Sequence, residues 1–443
     1  MLEAFSNEVI WIVVFSFIIA FFLAFGVGAN DVANSFGTSV GSGVLTLKQA
    51  CILATIFEIL GALLMGYKVS DTVRKDIFDL EMYTDEEKHL MMGNLAALFG
   101  SAVWNISATF LKLPISGTHS IIGAVLGFTF VAKGFRGIYW KTLGFIVASW
   151  FLSPLLSGLV SVAIFLLIRR FILSKEKPGE AGLTALPIFY GFTVFVNVIS
   201  IVLDGSPVLA LDRIPSWVAV LIAAVIAISV AIFIRLKVVP KERNKAATTR
   251  EQNERALESP ISPDEDVDTT DDNRPEVSVL FKNLQVMTAV FGSFAHGGND
   301  VSNAIAPLVS LWLIYSNNPD GETPAWLLVY GGIGISAGLW IMGRKVIQTM
   351  GQDLTKITPT SGFTIEIGSA TTVLMASKIG LPISTTHCKV GSVVFVGIAR
   401  TKSTKDVDLK LFRSIILAWL VTLPFTAVFS ALMLFILYAI TVP

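Results

Sequence analysis

The sequence contains little charge and almost no cysteine. Charged residues make up 15% of its 443 positions, whereas soluble domains usually carry about 25%. The 33 basic residues only balance the 33 acidic ones, which argues against a nucleic-acid-binding protein, because such a protein needs a basic face. Cys51 and Cys388 are the two cysteines, and both stand in apolar surroundings. They exclude a disulfide framework and a zinc cluster.

The sequence also lacks the short motifs of ATP-driven and hydrolytic proteins. It contains no GxxxxGKS or GxxxxGKT phosphate-binding loop and no HExxH metalloprotease motif. No pairing of a nucleophile with a general base stands out either. We therefore expect neither ATP-driven transport nor enzymatic catalysis, and no cofactor.

Long apolar runs are what the sequence has in abundance, since 53% of its residues are hydrophobic. A helix needs roughly 20 apolar residues to cross a bilayer. The first run, 10–27, has no basic segment before it and is too long for a signal-peptide core, so we interpret it as a retained span. The sequence predicts an all-α polytopic membrane protein with about 10–12 transmembrane segments, of which two pairs are broken or re-entrant. The further runs cover 46–66, 90–111, 121–132, 138–168, 183–203, 216–238, 284–314, 325–343, 363–377, 390–399 and 413–441.

A hydrophilic stretch divides the chain into two halves. Residues 239–280 are mostly polar, and the stretch becomes acidic toward its end, a composition that cannot bury a core. We interpret it as a linker between membrane halves at 1–238 and 281–443. Basic residues cluster near 169–177 and 235–243, and the positive-inside rule places both loops in the cytoplasm.

The two halves repeat each other. Residues 30–34 (NDVAN) recur as 299–303 (NDVSN), and residues 113–119 (LPISGTH) recur as 381–387 (LPISTTH). Duplicated membrane halves with interrupted segments at matching positions are typical of secondary transporters, whose substrate site lies near the midplane between the repeats. We expect the two repeats to be inverted relative to each other.

The first repeated motif predicts a cation site. Glycines at 26 and 28, and again at 297 and 298, allow the backbone to leave helical geometry and turn carbonyls toward a ligand. A carboxylate at membrane depth is costly and indicates function. The alternative is that these polar residues cap a broken helix and hydrogen-bond across the repeat axis. The predicted sodium ligands are Asn30, Asp31, Asn34, Asn299, Asp300 and Asn303.

The second repeated motif predicts an anion site. Its proline can start a helix, whose free N–H groups and positive dipole end attract an anion without arginine or lysine. Two such tips can enclose a tetrahedral oxyanion from both sides. The alternative is ordinary helix capping, with His119 and His387 as packing residues. The hydroxyl donors are Ser116, Thr118, Ser384, Thr385 and Thr386.

Three other residues are candidates for ion or proton coupling. Glu58 and Glu366 lie inside apolar runs without being repeat partners. His296 precedes the second glycine pair and has Val27 at the matching position. For each of them, buried hydrogen-bonded structure is the alternative.

Several long motifs resemble the inorganic phosphate transporter (PiT) family. They occupy residues 28–50, 54–77, 113–124, 295–309 and 380–394. The resemblance covers nearly the whole chain outside the central loop. It implies two oppositely oriented halves, inorganic phosphate as the substrate, and coupling to sodium or protons. It also implies a homodimer.

The same resemblance implies that the two repeated motifs form the binding site, and that Glu58, His296 and Glu366 fall at functionally sensitive positions. We therefore expect a sodium–phosphate symporter of the plasma membrane that imports phosphate by alternating access, with sodium as the coupling ion. The residues implied for phosphate are Ser116, Gly117, Thr118, His119, Ser384, Thr385, Thr386 and His387.

Other functions stay open from the residues alone. A proton-coupled carrier of phosphate or of metal phosphate would use the same fold. An anion channel would pass current without coupling and would not need carboxylates at the repeats. A receptor-like scaffold would tolerate the loss of both repeated aspartates.

Overall fold

The computed structural model describes residues 3–204, 214–245, 247–248, 274–349, 353–378 and 383–441. The side chains at 33, 34, 204, 345, 377 and 378 lie outside that description. Within it the chain is helical, and pairing between extended segments is limited to two isolated bridges. One joins Phe78 to Ile138, and the other joins Thr355 to Val407.

Fifteen described helices are used below. In the first half they are α1 (Ile10–Asp31), α2 (Ala33–Gly41), α3 (Leu47–Lys75), α4 (Glu87–Phe110), α5 (Gly117–Lys133), α6 (Trp140–Ile168), α7 (Pro178–Asp204) and α8 (Ser216–Phe233). In the second half they are α9 (Pro275–His296), α10 (Ser302–Tyr315), α11 (Ala325–Met342), α12 (Arg344–Gln348), α13 (Pro359–Lys378), α14 (Thr385–Thr401) and α15 (Leu409–Thr441).

The membrane-protein prediction is confirmed. Ten helical segments of the described chain are long and apolar enough to cross a membrane, which lies at the lower end of the predicted 10–12. The runs predicted at 363–377 and 390–399 fall in α13 and α14, which are not among these ten. Most of their residues are buried, and both helices pack against α6.

The predicted linker lies largely outside the described residues. The helical segment that begins with α8 continues to Lys245, and α9 already begins at Pro275. Proline suits that position because the first residue of a helix has no intrahelical partner for its N–H. The structure therefore describes only the two ends of 239–280, and both ends are helical.

The halves pack reciprocally. Helix α5 packs against α15, and its repeat partner α14 packs against α6. Helix α1 packs against α11, while α9, which matches α1, packs against α3. This exchange of equivalent elements is what a twofold relation between repeats produces. The inverted orientation of the repeats stays a prediction.

Matched glycines allow the closest of these contacts. A Cβ on Gly28 would overlap the carbonyl group of Ile335, and a Cβ on Gly297 would overlap that of Glu58. These glycines occupy equivalent positions at the ends of α1 and α9. Small residues at such crossings let membrane helices approach backbone to backbone, and here they bring the two Asn-Asp motifs deep into the bundle.

Candidate functional site

The two Pro-Ile-Ser segments each start a buried helix in the same way. Ser116 is extended, and its hydroxyl accepts a hydrogen bond from the His119 N–H at 3.2 Å, which opens α5. Ser384 does the same for the His387 N–H at 3.1 Å, which opens α14. Side-chain acceptors at this position satisfy N–H groups that the helix itself cannot pair. The capping predicted as the alternative is therefore present in both copies.

The two helix starts interlock across the halves. Thr386 Oγ1 donates to the carbonyl oxygen of Ile115 at 2.9 Å. Thr118 Oγ1 donates to the carbonyl oxygen of Ile383 at 3.1 Å. Each threonine thus contacts the segment that precedes the opposite helix, so the repeated motifs meet at one place in the structure.

Asp31 lies at this meeting point and is 1% exposed. One carboxylate oxygen accepts from the Gly117 N–H at 3.1 Å, at the start of α5. The other accepts from Thr386 Oγ1 at 2.9 Å. A helix start favours a negative charge, so Asp31 is held by its own half and by the opposite half together.

Asp300 has a different environment. Thr385 Oγ1 donates to Asp300 Oδ2 at 2.8 Å, from the same half of the chain. His296 Nε2 lies 2.5 Å from the same oxygen. The position that matches Thr385 in the first half is Gly117, which has no hydroxyl to offer. The two aspartates are therefore equivalent in sequence but not in their contacts.

The asparagines of the repeated motif have different roles. Asn30 braces the Pro114 segment, because its Nδ2 donates to Leu113 O at 2.9 Å and its Oδ1 accepts from the Ile115 N–H at 2.9 Å. Asn299 Nδ2 donates to Ile383 O at 3.0 Å, and Asn303 Nδ2 donates to Thr118 Oγ1 at 2.8 Å. Asn34 falls outside the described side chains.

Two amide oxygens in this cluster lack a partner. Asn299 Oδ1 and Asn303 Oδ1 are buried and have no hydrogen bond in the described part of the chain. A buried acceptor without a donor is costly, and a cation can satisfy it. Among the predicted sodium ligands, these two oxygen atoms fit a cation site best.

The two histidines of the tips pack among aromatic rings. The His119 ring lies 3.7 Å from the Trp150 ring and 4.3 Å from the His387 ring, measured between centroids. His387 stacks on Trp419 at 3.6 Å, and its Nδ1 lies 3.1 Å from the Trp150 carbonyl oxygen. The structure therefore gives both side chains a packing environment, and their backbone N–H groups are used by the serine caps.

Glu58 and His296 form a buried chain that leads to Asp300. Glu58 Oε2 lies 3.0 Å from His296 Nδ1, and Glu58 Oε1 accepts from Ser293 Oγ at 3.0 Å. Since His296 Nε2 faces Asp300, one imidazole lies between two carboxylates. The structure brings this pair of predicted coupling residues to the central cluster.

Glu366 lies apart from that chain. Its Oε1 accepts from Thr38 Oγ1 at 2.5 Å and from Ser39 Oγ at 2.6 Å. Its Oε2 accepts from Thr288 Oγ1 at 2.6 Å. Hydroxyl groups of α2 and α9 thus hold a carboxylate of α13, and this cluster joins the two halves.

One charged residue near the site was missed by the sequence analysis. Lys389 is 5% exposed and lies four residues after Thr385 on α14. It lines a cavity of about 20 Å³ together with His296 and Ser35. Its sequence signal is the one used for the glutamates, a charge inside a helix that continues with apolar residues.

Comparison with known proteins gives consistent matches over the whole chain. The model of the phosphate transporter family matches residues 27–430. Sodium-dependent phosphate transporter 1-A of Danio rerio is 40% identical over an alignment that covers 99% of this chain and 96% of that protein. Sodium-dependent phosphate transporter 1 of Mus musculus is 36% identical, with 98% and 96% covered. A solved structure titled the sodium-dependent phosphate transporter is 35% identical and covers 97% of this chain and 100% of its own, with a TM-score of 0.84.

Proposed function

Because the chain belongs to the phosphate transporter family, we propose that it imports inorganic phosphate by symport with sodium ions. The names of its relatives support both substrates. The observation that carries the proposal is the interlocked pair of helix starts with a buried aspartate beside each. This arrangement offers donors to an anion and acceptors to a cation at the same place.

Phosphate binds between the two helix starts. N–H groups and the positive dipole end of a helix attract an oxyanion, and the threonine hydroxyls add donors. The histidines help to shape the two helix starts, since their N–H groups donate to the capping serines and their rings pack on Trp150 and Trp419. The proposed phosphate residues are Ser116, Gly117, Thr118, His119, Ser384, Thr385, Thr386 and His387.

Sodium binds to the oxygen atoms of the Asn-Asp motifs. In carriers with broken helices, carbonyl groups of unwound backbone coordinate sodium, and the carbonyls of Ile115 and Ile383 lie beside the motifs. The unpaired amide oxygens of Asn299 and Asn303 support this assignment. The proposed sodium residues are Asn30, Asp31, Asn34, Asn299, Asp300 and Asn303.

Coupling follows from a competition for hydroxyl donors. Thr386 gives its one proton to Asp31 Oδ1 or to the Ile115 carbonyl, and Thr385 gives its proton to Asp300 Oδ2. When sodium satisfies the two carboxylates, these hydroxyls can turn to phosphate. Phosphate therefore binds well only after sodium, and the sodium charge offsets that of the anion. Glu58, His296 and Glu366 set the charge around this site.

The proposal extends to the architecture. The halves 1–238 and 281–443 are inverted repeats that alternate access to the central site. The stretch 239–280 is a cytoplasmic linker, as the basic residues near it predict. The protein is a homodimer of the plasma membrane. The reciprocal packing of matched helices within the chain supports the twofold relation between the two repeats.

The test is radiolabelled phosphate uptake into proteoliposomes, with an inward sodium gradient compared with an inward proton gradient at equal membrane potential. Excess sulfate serves as a competitor. Accumulation driven by sodium and resistant to sulfate supports the proposal. Accumulation driven only by protons contradicts it and redirects attention to the Glu58–His296–Asp300 chain. Absence of accumulation under both gradients favours a channel or scaffold.

A further inference from the structure

Lys389 is a buried charge that has no ion-pair partner among the described residues. It is 5% exposed, and within the described chain it makes no ion pair within 4.0 Å. The carboxylate of Glu366, which acts on it electrostatically, already accepts hydroxyl hydrogen bonds at both oxygens. A buried ammonium needs compensation, and a lysine that merely filled space would be destabilising compared with methionine.

The cavity beside Lys389 contains a second unpaired group. Ser35 is 2% exposed, and its hydroxyl has no partner in the described residues. Thr385 and His296 line the same cavity, and both contact Asp300 on their other side. The cavity is therefore adjacent to the interlocked helix starts, and the Ser35 hydroxyl and the Lys389 ammonium are the groups there that can donate to a ligand.

The charge around this cavity exists in one half of the molecule. The repeat offset pairs Lys389 with Ile121, His296 with Val27, and Glu366 with Leu98. The equivalent positions of the first half are thus uncharged. Duplication gives both halves the same residues at the start. The charged residues of the second half therefore indicate a role that the symmetric central site does not have.

We propose that Lys389 and Ser35 form a second oxyanion subsite, which inorganic phosphate occupies on its way between the central site and one face of the membrane. The inference rests on the proposed function, because phosphate is the anion the protein is proposed to carry. The ammonium supplies a charge-assisted hydrogen bond and the serine hydroxyl a neutral one. Thr385 lines the cavity and also contacts Asp300, so it lies between the two sites and contacts the anion as it moves from one to the other.

The present cavity is too small to hold phosphate at this subsite. Its volume of about 20 Å³ has room for about one water molecule. Phosphate is larger and reaches Lys389 only when the cavity widens. Its walls allow that, because they include small residues such as Gly292, Ala295 and Ala370. Gly292 faces open space, with nothing within 4 Å of where a Cβ would be.

The role of the Lys389 charge in phosphate binding is tested with the variants Lys389→Met and Lys389→Arg in proteoliposomes. Loss of a hydrogen bond to a charged group predicts that Lys389→Met raises the phosphate KM about tenfold or more, while Lys389→Arg stays within about threefold of wild type. The sodium concentration for half-maximal uptake, measured at saturating phosphate, is expected to stay unchanged. Melting temperature reports whether the variants fold.

The competing explanation is that Lys389 only balances Glu366. The double variant Lys389→Met with Glu366→Gln distinguishes the two, because it removes both charges together. If the double variant regains the wild-type phosphate KM, the subsite is refuted. If the KM stays raised, the ammonium acts on the anion and the proposal is supported.

The passage of phosphate through the cavity is tested by filling the cavity with larger apolar side chains, which leaves its polar groups unchanged. We expect the series Gly292→Ala, Gly292→Leu and Gly292→Phe to reduce uptake progressively, while the melting temperature stays near that of wild type. Gly144→Leu is the matched control, because Gly144 is also helical with nothing within 4 Å of its Cβ position. Wild-type uptake by Gly292→Phe would overturn the proposal.

The outcomes separate this inference from the function it rests on. If wild-type protein fails to accumulate phosphate, the proposed function itself is wrong. If variants of Asp31 and Thr386 impair uptake while Lys389→Met and Gly292→Phe do not, the central site stands and only the second subsite is refuted.

Discussion

Removal of the Thr386 hydroxyl tests the coupling mechanism most directly. Thr386→Val keeps the shape of the side chain but removes the donor that Asp31 Oδ1 accepts at 2.9 Å. A hydrogen bond to a charged group contributes about 1.5–3 kcal/mol. If that hydroxyl turns to phosphate in the loaded state, its loss raises the phosphate KM by roughly 10- to 150-fold.

The same substitution is expected to have the opposite effect on sodium affinity. Without the hydroxyl, sodium has one competitor fewer for the Asp31 carboxylate. The Gly117 N–H still donates to the other carboxylate oxygen. Sodium binding in the absence of phosphate is therefore expected to be equal to or tighter than that of wild type. Titration calorimetry on purified protein measures it, and uptake into proteoliposomes gives the phosphate KM.

Two matched variants control for structural damage. Thr386→Ser restores the hydroxyl and should recover most of the phosphate affinity. Thr118→Val removes the equivalent hydroxyl, which donates to the Ile383 carbonyl and not to a carboxylate, so it should weaken phosphate binding without tightening sodium binding. If Thr386→Val weakens sodium and phosphate together, Thr386 is a sodium ligand and the competition model is refuted.

Three further changes test other parts of the proposal. Asp31→Asn and Asp300→Asn should each abolish the sodium dependence of phosphate uptake, because the neutral amide removes the negative charge that the carboxylate offers to a cation; folded variants with wild-type sodium dependence would contradict the assignment. His119→Phe should leave the phosphate KM within about twofold, because the ring packs on Trp150; a large KM increase would mean that the imidazole touches the anion. Replacement of residues 249–273 by a short Gly/Ser linker should preserve uptake, since that composition cannot build a core; a folded but inactive protein would assign the segment a gating role.

The fold class followed from the sequence because its signals are local. Apolar runs predicted the spans, and ten helical segments of the described chain meet the same criteria of length and composition. The Pro-Ile-Ser motif predicted two helix starts, and Ser116 and Ser384 cap α5 and α14. Capping depends on residues three apart in the chain, so it can be read without a structure.

The candidate site was only partly visible in the sequence. The repeat predicted that the Asn-Asp motifs and the tips belong together, and the structure brings them into contact. It could not assign the contacts of individual residues. Asn30 braces a backbone segment, whereas the side-chain oxygens of Asn299 and Asn303 accept no hydrogen bond from the described residues, because each asparagine meets different neighbours.

What the sequence by itself determined is therefore the set of helices, their duplication and the residue types at the centre. Only the tertiary structure decided that Thr386 contacts Asp31 while Thr385 contacts Asp300, and that Lys389 lies beside a cavity next to the central cluster. The physical reason is distance along the chain. Periodicity and capping act within a few residues, whereas the Thr386–Asp31 contact joins residues 355 positions apart and depends on how whole helices pack.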